Sequence, residues 1–160
     1  AEAEPLMRRA LSIDEKSFGP EHPNVAIDLN NLAGLLKDTN RLVEAEPLMR
    51  RALSIDEKSF GPEHPKVAIR LNNLAGLLKD TNRLVEAEPL MGRHLVIFLK
   101  FTRATGHFHP HLRAAFVNYI GLLTEISLPK EQIRQELVEL GKEAGFDEES
   151  YRQVLRDVFK

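Results

Sequence analysis

The sequence contains no cysteine and no tryptophan, and its formal charge is only −2 over 160 residues. Without cysteine there are no disulfides and no thiolate chemistry, and a reducing compartment is compatible with the chain. So small a net charge argues against nucleic acid as the main partner, because phosphate binding needs a basic surface. No apolar run approaches the roughly 18–20 residues that a membrane helix needs, and the first residues are acidic and already periodic, unlike a signal peptide. The expectation is a cytoplasmic protein with neither a membrane nor a nucleic-acid partner.

Catalytic signatures are missing too. There is no nucleophile elbow, phosphate-cradling glycine loop, HExxH or recognisable triad. Acidic pairs such as Glu44 and Glu46 fall on solvated helix turns, a charge pattern and not an acid–base dyad. The one tempting metal constellation is "GHFHPH", with His107, His109 and His111, and His94 upstream. Histidines at this spacing hold a metal when their ring nitrogens converge. No cysteine or carboxylate stands at matching spacing, however, and His109-Pro110 overlays the repeat-joining pairs His22-Pro23 and His64-Pro65. The sequence therefore predicts no enzyme activity, no metal and no cofactor.

What is present is repetition. Residues 2–42 laid over 44–84 differ at two positions, Asn24 against Lys66 and Asp28 against Arg70. A fixed period of this kind marks a solenoid, in which each unit buries its apolar face against its neighbours. In residues 23–60, Pro23 suits the first turn of a helix, where its missing N–H has no partner to lose. Val25, Leu29, Leu32, Ala33 and Leu36 then follow helical spacing. "KDTNR" breaks that pattern, and Ala45, Leu48, Met49, Ala52 and Leu53 form the stripe of a second helix ending at "GP". Each repeat is thus an antiparallel hairpin.

The spacing Leu29-x2-Leu32-Ala33-x2-Leu36, then Ala45-x3-Met49 and Ala52, resembles the tetratricopeptide repeat, with Leu29 where Trp is usual. The period of 42, and the strings "LNNLA", "EAEPLMRRAL" and "GPEHP", are similar to the kinesin-light-chain type, over residues 1 to about 125. The resemblance implies an all-α, right-handed superhelical solenoid of antiparallel hairpins closed by a C-terminal capping helix. We expect one repeat domain over 1–160. It comprises an orphan second helix in 1–18, hairpins in 23–60 and 65–105, a divergent hairpin in 109–145 and the cap in 147–160. The chain starts without Met, inside a repeat, which reads as a fragment of something longer. The stripe Leu6, Met7, Ala10 and Leu11 then lacks its hairpin partner, so fraying, or cover by a second copy, is expected there.

At roughly 100° per residue, the arc opposite the buried stripe carries Ile27, Asn30, Gly34, Lys37 and Asp38. The equivalents in the next repeat are Ile69, Asn72, Gly76, Lys79 and Asp80, and Val117 occupies the corresponding face of the third. By resemblance these residues line a concave groove for a protein or peptide ligand, with Asn30 and Asn72 pairing with its backbone. An amide suits that role because it both donates and accepts. Asn31 and Asn73 fall nearer the repeat junction, where a hydrogen bond between helices is expected. Asp28 and Arg70 point the same way from adjacent first helices, so a surface ion pair is open to them. Fidelity collapses after Met91, where "RRALSIDEKSF" becomes "GRHLVIFLKFT". The new apolar residues are either covered by later elements or form a self-association surface of Leu95, Phe98, Leu99 and Phe101. The favoured expectation is a non-enzymatic interaction module, part of a larger signalling or scaffold protein. Homo-oligomeric assembly through 95–101 is the alternative.

Overall fold

The computed structural model describes residues 3–160, and among these it contains eight α-helices and no strand. They are α1 (Ala3–Phe18), α2 (Pro23–Asp38), α3 (Leu42–Phe60), α4 (Pro65–Asp80), α5 (Leu84–Thr105), α6 (Leu112–Glu125), α7 (Lys130–Glu143) and α8 (Glu148–Val158). The chain groups into two compact units, one ending at Thr81 and one spanning Asn82–Lys160. The boundary falls in the turn that the sequence assigns to the second hairpin.

In the first unit, α1 packs on α2, α2 on α3 and α3 on α4. Each first helix opens on a histidine: His22 Nδ1 accepts the Asn24 N–H at 3.2 Å, and His64 Nδ1 accepts the Lys66 N–H at 3.1 Å. The capping rings stack on the preceding helix, His22 on Phe18 at 4.8 Å and His64 on Phe60 at 4.9 Å. One residue thus satisfies an orphan helix N–H and fixes the angle of chain entry. Asn40, at φ 60°, takes the left-handed turn that reverses the chain into α3. Val25, Ala26 and Leu29 of α2 then close on Ala52 and Ile55 of α3, with Leu11 and Leu48 at the margin. Small Ala52 lets the backbones approach, and each buried Leu, Ile or Val adds about 1.5–3 kcal/mol of transfer free energy. α1 has no fully buried residue. Its Ile13 is 51% exposed, whereas the identical repeat position Ile55 in α3 is 1% exposed.

In the second unit, α5 packs against α6 and α7, and α7 against α8. This corrects the assembly surface outlined above. Leu95, Phe98 and Leu99 have no exposed surface, and Phe101 is half-buried. Phe98 is stacked on His109 at 4.0 Å and meets His94 edge-on at 4.7 Å, while Phe101 meets His109 edge-on at 5.2 Å. The side of α5 that turned apolar is an interior wall. Downstream, Gly145 at φ +86° ends α7, with its N–H on Lys142 O and the Phe146 N–H on Gly141 O. Asp147 caps α8 by accepting from the Ser150 N–H at 2.8 Å. Tyr151, Val154 and Val158 turn inward, the Tyr151 ring lying so close over Gly141 that a Cβ there would stand 2.6 Å from it.

Polar ties lock neighbouring helices of the first unit in register. Arg41 reaches Glu4 at 2.6 Å, Arg51 reaches Glu15 at 2.7 Å, and Lys58 reaches Glu21 at 2.6 Å. These are exposed or half-exposed pairs worth about 0–1 kcal/mol each. Arg70 is different. It pairs not with Asp28, as the sequence invites, but with Asp56 of α3, Nε to Oδ2 at 2.8 Å. The Asp56 side chain is 1% exposed and that of Arg70 11% exposed. Removing one partner of so buried a pair strands the other charge. Arg70→Leu should therefore cost roughly 3–5 kcal/mol in urea unfolding. Asp56→Leu/Arg70→Leu should recover much of that loss, and an Arg70→Leu protein as stable as wild type would show the pair to be idle.

Candidate functional site

α2 and α4 differ at two positions and start and stop in the same places relative to the repeat. With the stripe Leu29, Leu32, Ala33 and Leu36 buried, and Leu71, Leu74, Ala75 and Leu78 likewise, the opposite arcs are left accessible. Ile27 is 46% exposed and Ile69 45%. Asn30, Gly34, Lys37, Asn72, Gly76 and Lys79 are part-exposed, and Asp38 and Asp80 are exposed. All ten of these lie in the first unit. Val117 is exposed on α6, in the other unit.

Several groove candidates are already engaged with one another. Asn73 Nδ2 donates to Asn30 Oδ1 at 2.9 Å, so the junction asparagine bonds across helices by using a groove residue as its acceptor. Lys37 pairs with Asp80 of the next first helix at 3.0 Å. Asn30 consequently offers a ligand its NH2 donors and has less acceptor capacity left, whereas the Asn72 amide makes no side-chain hydrogen bond among the described residues. The two glycines are not equivalent. A Cβ on Gly34 meets nothing within 4 Å, while one on Gly76 comes 3.4 Å from Lys37 Nζ.

A cavity of about 120 Å³ opens between the two first helices, lined by Pro23, Ile27, Asp56, Phe60, Lys66, Ile69 and Arg70. Both repeat mismatches meet here, since Lys66 Nζ lies 4.3 Å from the Phe60 ring centroid and Arg70 holds Asp56. At the first junction the same positions are Asn24 and Asp28. Asp28 Oδ2 is shut off from solvent with no hydrogen-bond partner. Burial, and then the nearby Asp14, push its carboxyl above the usual carboxylate range. The sequence carried the signal for this, two substitutions in an otherwise copied stretch, but not the identity of the partners.

The histidines are occupied within the second unit. His109 Nδ1 accepts the His111 N–H at 3.2 Å, its ring is stacked on Phe98, and burial followed by His111 lowers its pKa. No group of three metal-ligating side chains converges among the described residues. The second unit also has an open cleft of about 790 Å³, bordered by Arg103, Phe108, Phe146 and Arg156, and no predicted site residue lines it. No helix among the described residues is long and apolar enough to cross a membrane.

Helix hairpins at a fixed period, each first helix keeping one face buried and one face open, define a helical-repeat scaffold. The chain belongs to the tetratricopeptide repeat family, whose model matches residues 1–58 and 29–100. Repeats of this family are in general protein–protein interaction modules and not catalysts. None of the curated proteins matches the sequence. In fold the chain is similar to BtubC (BKLC) from P. vanneervenii, with a TM-score of 0.70 at 22% identity, covering 96% of this chain and 57% of that one. It is also similar to a Podospora anserina protein described as a kinesin light chain with nearly identical TPR-like repeats. That likeness has a TM-score of 0.62 at 20% identity and covers 98% of this chain and 84% of the other. The chain thus spans little more than half the length of BtubC.

Two stability outcomes follow from the geometry. Gly34→Ala places a methyl in open space within a helix and should gain up to about 1 kcal/mol, or about 2–4 °C in Tm; no gain would mean that the site is closed. For Asp28, a raised folded pKa means that the charged form is disfavoured by folding. Its protonated form supports the fold below the ordinary carboxylate pKa, and that support is lost as pH rises through the folded value. Asp28→Asn should therefore raise Tm at about pH 7 and give no gain below about pH 4, as read by thermal melts across that range.

Proposed function

We propose that the chain binds an extended peptide segment of a protein partner along the open arcs of its first helices. The observation that carries this reading is the pair Ile27 and Ile69. Both are apolar and nearly half exposed, and both border a cavity large enough for one aliphatic side chain. Asn72 stands on the same helix as Ile69, with its amide unspent, to meet a peptide group; Asn30 adds donors while Asn73 holds it in place. Gly34, one turn after Asn30 on α2, keeps open floor beside it. A chain with this function serves as the recognition part of a larger signalling or scaffold protein in the cytoplasm, and its repeats do no chemistry.

The test is a peptide selected from a display library on the wild-type chain and then titrated by calorimetry. Ile27→Glu/Ile69→Glu should weaken its binding by tenfold or more, about 1.4 kcal/mol, because a charge replaces the apolar anchor point. Val43→Glu, at an exposed position on α3, should leave binding unchanged. Equal affinity in both variants would place the ligand elsewhere.

A further inference from the structure

Three linkers carry the same His-Pro pair, and the third adds another histidine. His22-Pro23-Asn24 and His64-Pro65-Lys66 of the first unit correspond to His109-Pro110-His111 of the second. In each, the leading imidazole Nδ1 accepts the backbone N–H two residues on, at 3.2, 3.1 and 3.2 Å. Each ring also stacks on a phenylalanine of the preceding helix. Phe18 and Phe60 keep exposed surface, whereas Phe98 has none. The His109 ring lies 4.0 Å from that of Phe98 with the planes 10° apart, His111 is 5.4 Å from His109, and the buried His94 meets Phe98 edge-on. Local charge is of one sign: no acidic residue occurs between Glu88 and Glu125, while Arg93, Lys100, Arg103 and Arg113 do. From the other helices of the unit, Glu136 and Glu143 of α7 act on Tyr119, and Asp147 and Glu149 border the cleft beside Phe108. On His109 itself the influences are burial and then His111, and both disfavour its charged form.

We infer that the linker between α5 and α6 is a proton-operated joint, closed over Phe98 while His109 is neutral and released when His109 takes up a proton. A neutral imidazole with its hydrogen on Nε2 accepts at Nδ1, but an imidazolium carries hydrogen on both nitrogens and cannot. Protonation therefore leaves the His111 N–H without its acceptor and sets a second donor against it. It also places positive charge at the opening of α6, where the helix dipole is already positive. Charging His111 too sets two cations 5.4 Å apart with no acidic residue in the surrounding sequence. Cation–π attraction to Phe98 works in the opposite sense, but it supplies no acceptor for the N–H groups that then face each other. The same residues build the first turn of α6, since the His109 carbonyl accepts the Leu112 N–H and the His111 carbonyl that of Ala115, both at 2.9 Å. Loss of the cap thus frays α6 where it covers Phe98. The sign is set by the lowered folded pKa of His109. The joint's contribution is present above the ordinary imidazole value of about 6.5 and is lost as pH falls through the lower folded value. In the first unit Asn24 and Lys66 take the place of His111, so no second imidazole reinforces the response. The joint is independent of the peptide face, whose residues lie in the first unit.

The experiment is an NMR titration of the full chain from about pH 7.5 to about pH 4.5, read at the histidine rings and the backbone amides. The His109 ring should titrate with a midpoint below about 6.5, and the His111 amide and the Phe98 ring should shift with the same midpoint. Hydrogen exchange at Leu112 and Ala115, corrected for its intrinsic pH dependence, should lose roughly tenfold or more of its protection across that midpoint. His109→Asn keeps an acceptor at the cap and takes up no proton, so protection there should stay constant. His111→Gln should reduce the response, and His22→Asn in the first unit should leave it as in wild type. A His109 midpoint at or above about 6.5, or wild-type protection unchanged through that midpoint, would overturn the assignment. So would an equal loss of protection in His109→Asn. The first two readouts need no variant, so the inference is tested even where a substitution disturbs folding.

Discussion

A single hairpin of this length cannot bury its own apolar stripe, and that constraint organises everything else in the first unit. Val25, Ala26 and Leu29 are dry because Ala52 and Ile55 come down on them and α1 closes the other side. α1 shows the converse. Its sequence matches that of α3, yet Ile13 stays half exposed because no helix among the described residues covers the face that α2 covers on α3. Burial here belongs to the stack and not to the residue. This is why a repeat protein tolerates near-copying of its sequence while its end repeats live in a different environment.

Packing of this kind also divides each first helix into two roles. The buried arc is nearly silent chemically, built from Leu, Ala and Val, and it holds the open arc in place. On the open arc the polar residues are mostly committed to their neighbours, Asn30 to Asn73 and Lys37 to Asp80. These contacts align α4 with α2 and spend part of the polarity that would otherwise face solvent. What is left uncommitted on this face is modest: two isoleucines, one unspent amide and the donors of another, and open floor at Gly34. Such a face suits recognition by shape and backbone pairing better than by strong charge.

Much of the backbone was legible from the sequence, because its signals are local. Prolines after histidine, apolar spacing and "KDTNR" placed the helix ends within about two residues of where they lie. The buried and open arcs of α2 and α4 came from the helical angle alone. What was not legible depends on residues distant in sequence. Asp56 reads as a solvent residue of α3 until Arg70 is seen to cover it. Leu95, Phe98 and Leu99 read from the sequence as residues covered by later elements, with a self-association surface as the alternative, and α6, α7 and the His109 ring are what cover them. The histidine caps were missed because His is an uncommon cap, although its place before proline in every linker was visible.

The two substitutions between copies show where such an array has freedom to vary. Neither touches the buried stripe, where a change of volume would be felt in both neighbouring helices. Neither touches Ile27, Asn30, Gly34 or their equivalents, so the open arc is repeated intact. Both fall where a first helix meets the second helix before it, and there they exchange a neutral and an acidic residue for two bases. With Arg70 the junction closes its charge internally, and with Asp28 it does not. Two interfaces with one backbone frame therefore differ in their charges. A stack built this way repeats the same open face at each step while keeping its junctions chemically distinct.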